Sequence, residues 1–466
     1  MAFNDISFLF ILFPVVLLAH KVMPQKGKNL VLLLFSLLFY AWGEPRYVVL
    51  MVLSIAFNYF TGLAIGAYQA AEQPAKAKFA LTSAVVTNLL LLGFFKYAGF
   101  LAENLAVLGL KISVPAMTMP IGISFFTFSI LSYLFDVYRG KAPVAENVLE
   151  FSLFVTFFPK LVSGPIVQYA KMQQQIRERV MKPAHFGQGC RLFLIGLAKK
   201  MLLSNTIGTA FYALNAMDRV SVVSAWLGAL CYTLMLYYDF GGYSDMAIGI
   251  AKMFGFEFDK NFDYPYTSAS VTEFWRRWHI SLGAWFRDYV YIPLGGSREG
   301  QRKTVRNLCV VWLLTGIWHG ANWTFVFWGI YHGGILLIEK FLLKDLLEKV
   351  PTALRQVMTF ILVLIGWVFF FSADLGSAFV WLGRMFGIGA AGFLDAAAKY
   401  YLGASWLPVI IGLLGATPLC ANVGSNVYRG GKLPVALSVV WFGVLLVLCI
   451  AGMMTGTYST FLYFQF

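Results

Sequence analysis

The sequence is poor in charged residues. Of its 466 residues only 12% are Asp, Glu, Lys or Arg, whereas 59% are hydrophobic. Soluble domains carry roughly 25% charged residues, so this composition excludes an ordinary water-soluble fold. No polar stretch is long enough to build a separate soluble domain. Apolar runs recur along almost the whole chain, which predicts an all-α polytopic membrane protein.

Sequence motifs for several chemistries are also missing. The chain has no glycine-rich phosphate loop, no dinucleotide fingerprint, no His-Glu-x-x-His and no nucleophile-elbow pattern. Its five cysteines are scattered without the paired spacing of a metal site, and we expect them to be buried small hydrophobic residues. We therefore expect no ATP hydrolysis, no metal or redox chemistry and no tightly bound cofactor. No second copy of an irregular region is found, which argues against a repeat-built transporter.

The net charge of +14 is explained by membrane topology. The basic residues lie in short connections between apolar runs, as the positive-inside rule expects of cytoplasmic loops. A nucleic-acid-binding protein would instead gather them in one patch on a soluble module. Nucleic-acid binding is therefore not expected.

Ten apolar runs are candidate membrane spans. They are 7–22, 30–43, 47–67, 80–96, 121–138, 190–214, 222–238, 356–372, 405–421 and 434–454. Basic residues after the first, third and fifth runs place those loops in the cytoplasm if the N-terminus lies outside. Ten crossings then put the C-terminal tail, Thr457–Phe466, outside as well. Met1–Ser7 carries no positive charge and no cleavage site follows the first run, so we interpret that run as a retained helix.

One region that does not fit simple crossings is 151–167. It is interrupted by Pro159, Gly164 and Pro165 and has basic residues on both flanks. These features predict a re-entrant hairpin that packs on protein, because broken backbone cannot face lipid. Lys160 within it would either meet an anionic group or, more commonly, extend its ammonium to the membrane surface.

The second irregular region, 240–341, has a polar middle between two apolar ends. There Ser270 and Glu273 form a capping-box pattern, S-V-T-E, that opens a helix. Four apolar side chains follow at helical spacing with arginines elsewhere around the helix: Phe274, Trp278, Leu282 and Trp285. This pattern predicts one helix lying along the cytoplasmic membrane interface.

His319 is the first candidate for chemistry. It follows Arg306 by thirteen apolar-rich residues, about 20 Å of helix and so about two-thirds of a hydrocarbon core of roughly 30 Å. Gly320-Ala321-Asn322 predicts a bend, after which Trp323–Phe341 returns toward the cytoplasm. An imidazole in the membrane is a functional-site candidate by default and a natural general base. The alternative is a buried histidine that only holds packing.

His279 is the second candidate, on the interfacial helix near the cytoplasmic mouth. Beside two arginines it is equally interpreted as a solvated interfacial residue. For His332, hydrogen bonding between helices is the favoured interpretation. Asp239 and Asp245 flank Gly241-Gly242. They either orient an imidazole or line a polar tunnel, or they cap two helices separated by a glycine break. Tyr243, Trp318 and Asn322 complete the set of tunnel-lining or orienting candidates.

At these residues the chain resembles bacterial members of the membrane-bound O-acyltransferase family, in the branch that O-acetylates alginate, peptidoglycan and other envelope glycans. Six stretches carry the resemblance: Pro120–Gly140, Phe157–Ile166, Leu236–Gly249, Asn261–Arg298, Trp318–Gly333 and Phe461–Phe466. They are long, and they occur in the family's order.

The resemblance implies one integral-membrane acyltransferase domain over 1–466. Its N-terminal helices would span 1–119, its catalytic motif region 120–341 and its C-terminal helices 342–466. Helices would surround a central tunnel, with the family's signature histidine matching His319 and its second polar motif residue matching His279.

The resemblance also implies acetyl-CoA or an acylated carrier protein as the cytoplasmic acyl donor. A periplasmic or extracellular partner similar to SGNH hydrolases would complete transfer to a polysaccharide acceptor. The location would be the bacterial plasma (inner) membrane. D-alanyl transfer to teichoic acid is the alternative within the family, and a non-catalytic channel or transporter is the alternative outside it.

Overall fold

The fold is helical throughout the part of the chain that can be described. A computed structural model describes residues 2–110, 112–115, 118–428, 432–454 and 461, with side chains for all of these except 424–428 and 432–435. Within these ranges the regular structure is helix, and no strand is present. This confirms the all-α prediction for the described residues. The tail Thr457–Phe466 and the motif Phe461–Phe466 lie outside them apart from Phe461.

The chain forms two compact units. The first comprises Met1–Phe193 and Met246–Asp259, and the second comprises Leu194–Asp245 and Lys260–Phe466. Organisation as a single acyltransferase domain stays a prediction.

The first unit begins with a π-helical turn at Phe8–Leu12. Its helices are α1 (Phe13–Val22), α2 (Gln25–Gly43), α3 (Tyr47–Ala70), α4 (Pro74–Val107), α5 (Ile123–Tyr138), α6 (Val148–Thr156), α7 (Phe158–Leu161), α8 (Tyr169–Glu178) and most of α9 (Pro183–Ala198).

The second unit contains α10 (Asn205–Asn215), most of α11 (Val222–Met253), α12 (Val271–Arg277), α13 (Ile280–Phe286), α14 (Gln301–His319), α15 (Trp323–Phe341), α16 (Lys344–Leu347), α17 (Thr352–Phe371), α18 (Leu375–Met385), α19 (Ala396–Gly415), α20 (Leu419–Tyr428) and α21 (Lys432–Met454). Two π-helical segments, Lys199–Ser204 and Arg287–Tyr291, and a 3₁₀ turn at Pro265–Thr267 complete it.

Among the described residues, five helices are long and apolar enough to cross a membrane. They are Tyr47–Ala70, Pro74–Val107, Thr352–Phe371, Ala396–Gly415 and Ala436–Met454. Each overlaps a predicted span, and the total of ten crossings stays a prediction. The largest difference at a helix start is at α19, which begins nine residues before the predicted 405. Asp395 caps α19 by accepting a hydrogen bond from Ala398 N–H, so the residues just before the predicted span are also helical.

The predicted glycine break beside Asp239 is wrong, because α11 continues through Gly241-Gly242. A Cβ atom added at Gly242 would lie 2.7 Å from the carbonyl oxygen of Gly196. The glycine therefore permits close helix packing and does not end a helix. Capping by Asp239 and Asp245 is excluded with it, since both residues lie inside one helix.

The predicted 190–214 span is not one regular helix. It consists of the end of α9, the π-helical segment Lys199–Ser204 and α10. Each of the two lysines that start this segment forms an ion pair with an aspartate of α11, Lys199 with Asp245 and Lys200 with Asp239. The two carboxylates compensate the charges of the lysines, which is why an apolar run can contain them. The sequence did not predict these ion pairs.

The interruption predicted in the run 151–167 is confirmed. Two short helices, α6 and α7, meet there at Phe157. Its membrane depth stays a prediction. Lys160 does not extend to a surface: its side chain is buried, and its Nζ donates to Ser129 Oγ at 2.9 Å. The cysteines also differ from expectation, since only Cys231 and Cys449 are buried.

Candidate functional site

His319 is the last residue of α14, where the chain turns toward α15. Gly320 is extended, and the Asn322 side chain caps α15 by accepting a hydrogen bond from Thr324 N–H at 3.0 Å. The predicted bend is therefore confirmed. The imidazole is 3% exposed, so it lies inside the second unit and not on its surface.

The imidazole of His319 lies in an aromatic cage formed by Trp318, Phe325, Trp328 and Phe370. Three of the rings pack on the imidazole in T-shaped, edge-to-face arrangements. Their centroids lie 4.9 Å (Trp318), 4.8 Å (Trp328) and 5.1 Å (Phe370) from that of the imidazole. Phe325 lies roughly parallel at 6.5 Å. Rings at these distances pack favourably and exclude water, so they fix the plane of the imidazole.

The cage requires α14 and α15 to approach very closely. A Cβ atom on Gly316 would lie 2.5 Å from the carbonyl oxygen of Phe325, and one on Gly329 would lie 2.5 Å from that of Trp312. Backbone atoms cannot move aside as a flexible side chain can. Glycine at both positions therefore lets Trp328, on α15, reach His319, on α14.

His279 lies at a sharp turn between two short helices, which corrects the prediction of one continuous interfacial helix. The capping box is present, with Ser270 Oγ accepting from Glu273 N–H, but the helix it opens ends at Arg277. His279 then adopts φ +47°, a left-handed conformation that is uncommon for a side-chain-bearing residue. Such a conformation persists only where the surroundings hold it.

A polar network surrounds this turn. The His279 imidazole is 2% exposed, and its Nδ1 lies 3.2 Å from Asn261 Oδ1. The same oxygen accepts hydrogen bonds from Ser281 N–H at 3.2 Å and Ser281 Oγ at 2.9 Å. The ring of Phe240, on α11, stands edge-on to the imidazole at 4.7 Å. His279 is therefore a buried residue, and the interpretation as a solvated interfacial residue is wrong.

Burial also determines the charge of His279, which lies between the candidate membrane spans. Desolvation lowers its pKa from the ordinary 6.5 to about 3. The imidazole is therefore neutral at pH 7, with one ring nitrogen that donates a hydrogen bond and one that accepts.

Trp318 connects the two histidines. Its ring centroid lies 6.1 Å from that of His279 and 4.9 Å from that of His319. The structure thus brings His279, His319 and Trp318 near one another, and their catalytic role stays a prediction.

A cavity of about 170 Å³ opens beside His279. Most of its lining is aromatic or aliphatic, with Arg287 and Thr315 among the few polar members. The lining residues are Trp275, Trp278, His279, Leu282, Gly283, Phe286, Arg287, Tyr291, Leu308, Val311, Trp312 and Thr315. This apolar space suits the uncharged part of a substrate, with His279 supplying a polar contact.

Helix α12 is held from α15 at two levels. Both carboxylate oxygens of Glu339 accept from the first turn of α12, from Val271 N–H at 2.6 Å and Thr272 N–H at 2.9 Å. Seven residues earlier on α15, His332 Nδ1 accepts from Trp275 Nε1 at 3.4 Å. His332 therefore makes the helix–helix hydrogen bond that the sequence favoured, and Glu339 contributes a second anchor that the sequence did not suggest.

The other predicted residues have structural contacts. Asp239 is 1% exposed and pairs with Lys200, and Asp245 pairs with Lys199 at 2.6 Å. The Tyr243 ring packs edge-on against Phe461 at 4.9 Å. Asn322, besides capping α15, donates to the carbonyl oxygen of Ala373 at 2.7 Å. A role for these residues in lining a tunnel stays a prediction.

The sequence analysis did not identify five residues that contact the candidate residues. They are Asn261, Phe240, Glu339, Lys199 and Lys200. Asn261 had one signal, since it begins one of the stretches that carry the family resemblance. The others are joined to their partners by 39 to 68 residues of chain, as in Lys200–Asp239 and Val271–Glu339. Within the described residues, no cluster of three or more His, Cys, Asp or Glu is arranged to hold a metal ion.

Comparison with known proteins identifies the class to which this fold and site belong. The model of the membrane-bound O-acyltransferase family matches residues 143–375. The chain belongs to this family, and it is a multi-pass membrane O-acyltransferase.

Its relatives include proteins that act on bacterial polysaccharides. A probable alginate O-acetylase AlgI of Azotobacter vinelandii is 42% identical over 84% of this chain and 79% of its own length. A peptidoglycan O-acetyltransferase of Helicobacter pylori is 35% identical over 83% of this chain and 80% of its own length. A teichoic acid D-alanyltransferase of Bacillus subtilis is more distant, at 27% over 62% of this chain and 75% of its length.

Proposed function

We propose that the protein moves an acetyl group from a cytoplasmic thioester through the membrane for O-acetylation of an envelope or extracellular polysaccharide. The observation that carries this proposal is a pair of buried imidazoles with the Trp318 ring between them, one of which, His279, lines an apolar cavity. The names of the more similar relatives, alginate and peptidoglycan O-acetylating enzymes, support acetyl over D-alanyl as the transferred group.

In the proposed reaction His319 is the general base. It takes the proton of an acceptor hydroxyl while that oxygen attacks the thioester carbonyl carbon. The new ester bond forms as the carbon–sulfur bond breaks, and the thiolate leaves and is protonated. His279 positions the donor or polarises its carbonyl group. A general base contributes about 10²- to 10⁴-fold to such a reaction, and no acyl-enzyme is required.

The donor and the partner are part of the proposal. Acetyl-CoA or an acylated carrier protein supplies the thioester from the cytoplasm. A periplasmic or extracellular protein similar to SGNH hydrolases receives the acetyl group and completes transfer to the polysaccharide. The protein would lie in the bacterial inner membrane with both termini outside, as the basic loops indicate.

The test is the O-acetyl ester content of the cell's envelope polysaccharides. A strain lacking the gene is compared with the same strain carrying wild type or His319→Ala at matched membrane abundance. His185→Ala is the control, because His185 is partly exposed in the first turn of α9. We expect wild type and the control to restore the esters and His319→Ala to leave them absent.

Full restoration by His319→Ala would remove the catalytic assignment. No ester change in any strain would reject polysaccharide O-acetylation and make D-alanyl ester content the next measurement.

A further inference from the structure

Asn261 accepts hydrogen bonds from the turn that contains His279. It is 1% exposed, and its backbone carbonyl accepts from Ile280 N–H at 2.9 Å. Its side-chain Oδ1 accepts from Ser281 N–H at 3.2 Å. One residue thus binds the two peptide N–H groups that follow His279, from a segment eighteen residues earlier in the chain.

These contacts determine which way the Asn261 amide points. A backbone N–H can only donate, so the amide atom that faces Ser281 N–H is the oxygen. At the other end, Nδ2 donates to Ser244 Oγ at 3.0 Å. The reverse orientation would set an NH₂ group against a backbone N–H, which neither can accept. The hydrogen-bond network therefore assigns the amide.

The assigned amide in turn determines where the proton of His279 sits. Asn261 Oδ1 lies 3.2 Å from His279 Nδ1, and a carbonyl oxygen only accepts. The Ser281 hydroxyl is farther from Nδ1, at 3.5 Å, and gives its hydrogen to Oδ1 at 2.9 Å, so Nδ1 carries the hydrogen. A neutral imidazole has one N–H and one lone pair. Since burial keeps His279 neutral at pH 7, its Nε2 carries the lone pair.

We infer that Asn261 is a positioning residue that holds His279 in the Nδ1–H tautomer, so that Nε2 accepts a hydrogen bond from an O–H or N–H group of a substrate. This inference rests on the proposed function for the presence of a substrate at His279. It decides between the two roles proposed there. Polarising an acyl carbonyl requires a donor at Nε2, whereas this tautomer positions a hydroxyl or amide N–H group.

Magic-angle-spinning NMR of protein with isotope-labelled histidine, in lipid bilayers at pH 7, tests the tautomer directly. Protonated and unprotonated ring nitrogens give separate signals. His279→Asn identifies the His279 signals by their loss, and asparagine tolerates the left-handed backbone of this position. We expect protonated Nδ1 and unprotonated Nε2. A protonated Nε2 on neutral His279 would overturn the inference.

Asn261→Ala tests whether Asn261 causes the tautomer. We expect a signal from the Nε2–H form to appear, and ester formation per folded protein to fall about tenfold or more, because the ring loses its orientation. Ser281→Ala is the matched control, since it removes the hydroxyl that donates to Oδ1 and lies 3.5 Å from Nδ1, and it leaves the hydrogen bond between Asn261 and His279. The control should keep the wild-type tautomer.

An unchanged Nδ1–H signal in Asn261→Ala would show that Asn261 does not determine the tautomer. Asn261→Ser replaces that variant if it does not yield folded protein. The NMR experiment needs no turnover, so it separates the two hypotheses. Esters restored by His319→Ala defeat the proposed function, whereas an Nε2–H signal in wild type defeats only this inference.

Discussion

His319 and His279 are held in two different ways. His319 sits in an aromatic cage that depends on the close approach of α14 and α15 at Gly316 and Gly329. His279 sits in a turn with a left-handed backbone, whose N–H groups donate hydrogen bonds to Asn261 and whose preceding helix, α12, donates to Glu339. Ring packing fixes the plane of the His319 imidazole, whereas the hydrogen bond to Asn261 assigns a role to one particular nitrogen of His279. The two imidazoles can therefore have separate roles.

The largest effect should come from the imidazole in the cage. His319→Gln keeps a polar side chain at the end of α14 but lacks the base, so ester formation per folded protein should fall about 10²- to 10⁴-fold. Membrane abundance should remain near wild type. The measurement is polysaccharide ester content at matched abundance, and activity within twofold of wild type would contradict a catalytic role.

Next in size is the effect of the glycine contact that shapes the cage. Gly329→Ala puts a Cβ 2.5 Å from the Trp312 carbonyl oxygen, and overpacking of this kind costs about 1–3 kcal/mol. Its melting temperature in detergent should fall. Gly334→Ala is the matched control on the same helix, because a Cβ there meets nothing within 4 Å. Equal melting temperatures for the two variants would show that the close approach does not stabilise the hairpin.

A smaller effect should come from removing Glu339, which holds α12, the helix that leads into the His279 turn. Glu339→Ala removes two acceptors from the first turn of α12, and loss of such a cap costs about 1 kcal/mol. Because α12 ends at the His279 turn, ester formation per folded protein should fall about tenfold through misplacement. Glu348→Ala, an exposed glutamate beyond α16, is the control. Hydrogen exchange in residues 271–282 should rise only in Glu339→Ala.

Unchanged exchange in that segment, with activity lost, would mean that Glu339 acts by another route than α12. Activity lost only in proportion to the folded protein would reduce Glu339 to a residue that stabilises the fold.

The smallest effect concerns the charge of His279. Its folded-state pKa of about 3 lies below the ordinary 6.5, so the unfolded chain takes up the proton first as the pH falls. The stability gained from neutral His279 is thus present above pH 6.5 and is lost progressively toward pH 3. Between pH 7 and pH 6 wild type should lose about 0.7 kcal/mol more than His279→Asn, by proton linkage.

Thermal unfolding of both proteins at the two pH values measures this difference. Both proteins contain the other four histidines, so the contributions of those residues to the pH dependence of stability cancel when the two losses are compared. Equal losses would show that His279 exchanges protons with solvent as it does in the unfolded chain.

The sequence by itself determined the class of fold, and it was enough to select His319 and His279 as candidates. Low charge and recurrent apolar runs are properties of composition, and helices in a membrane satisfy their own backbone locally, so the all-α fold follows without knowledge of tertiary contacts. The bend after His319 was also predictable, because glycine and an asparagine cap act over a few residues. The long motifs around Trp318 and Asn261 added the family.

Only the tertiary structure decided how the site is built. The break at His279 follows from a buried asparagine elsewhere in the chain, and local apolar spacing predicted an uninterrupted helix there. Asp239 and Asp245 found their lysines on another segment, and Gly242 serves packing where local reasoning predicted a break. Hydrogen bonds from residues far apart in sequence orient His279, and the packing of α14 on α15 and of Phe370 orients His319, and no local pattern encodes those contacts.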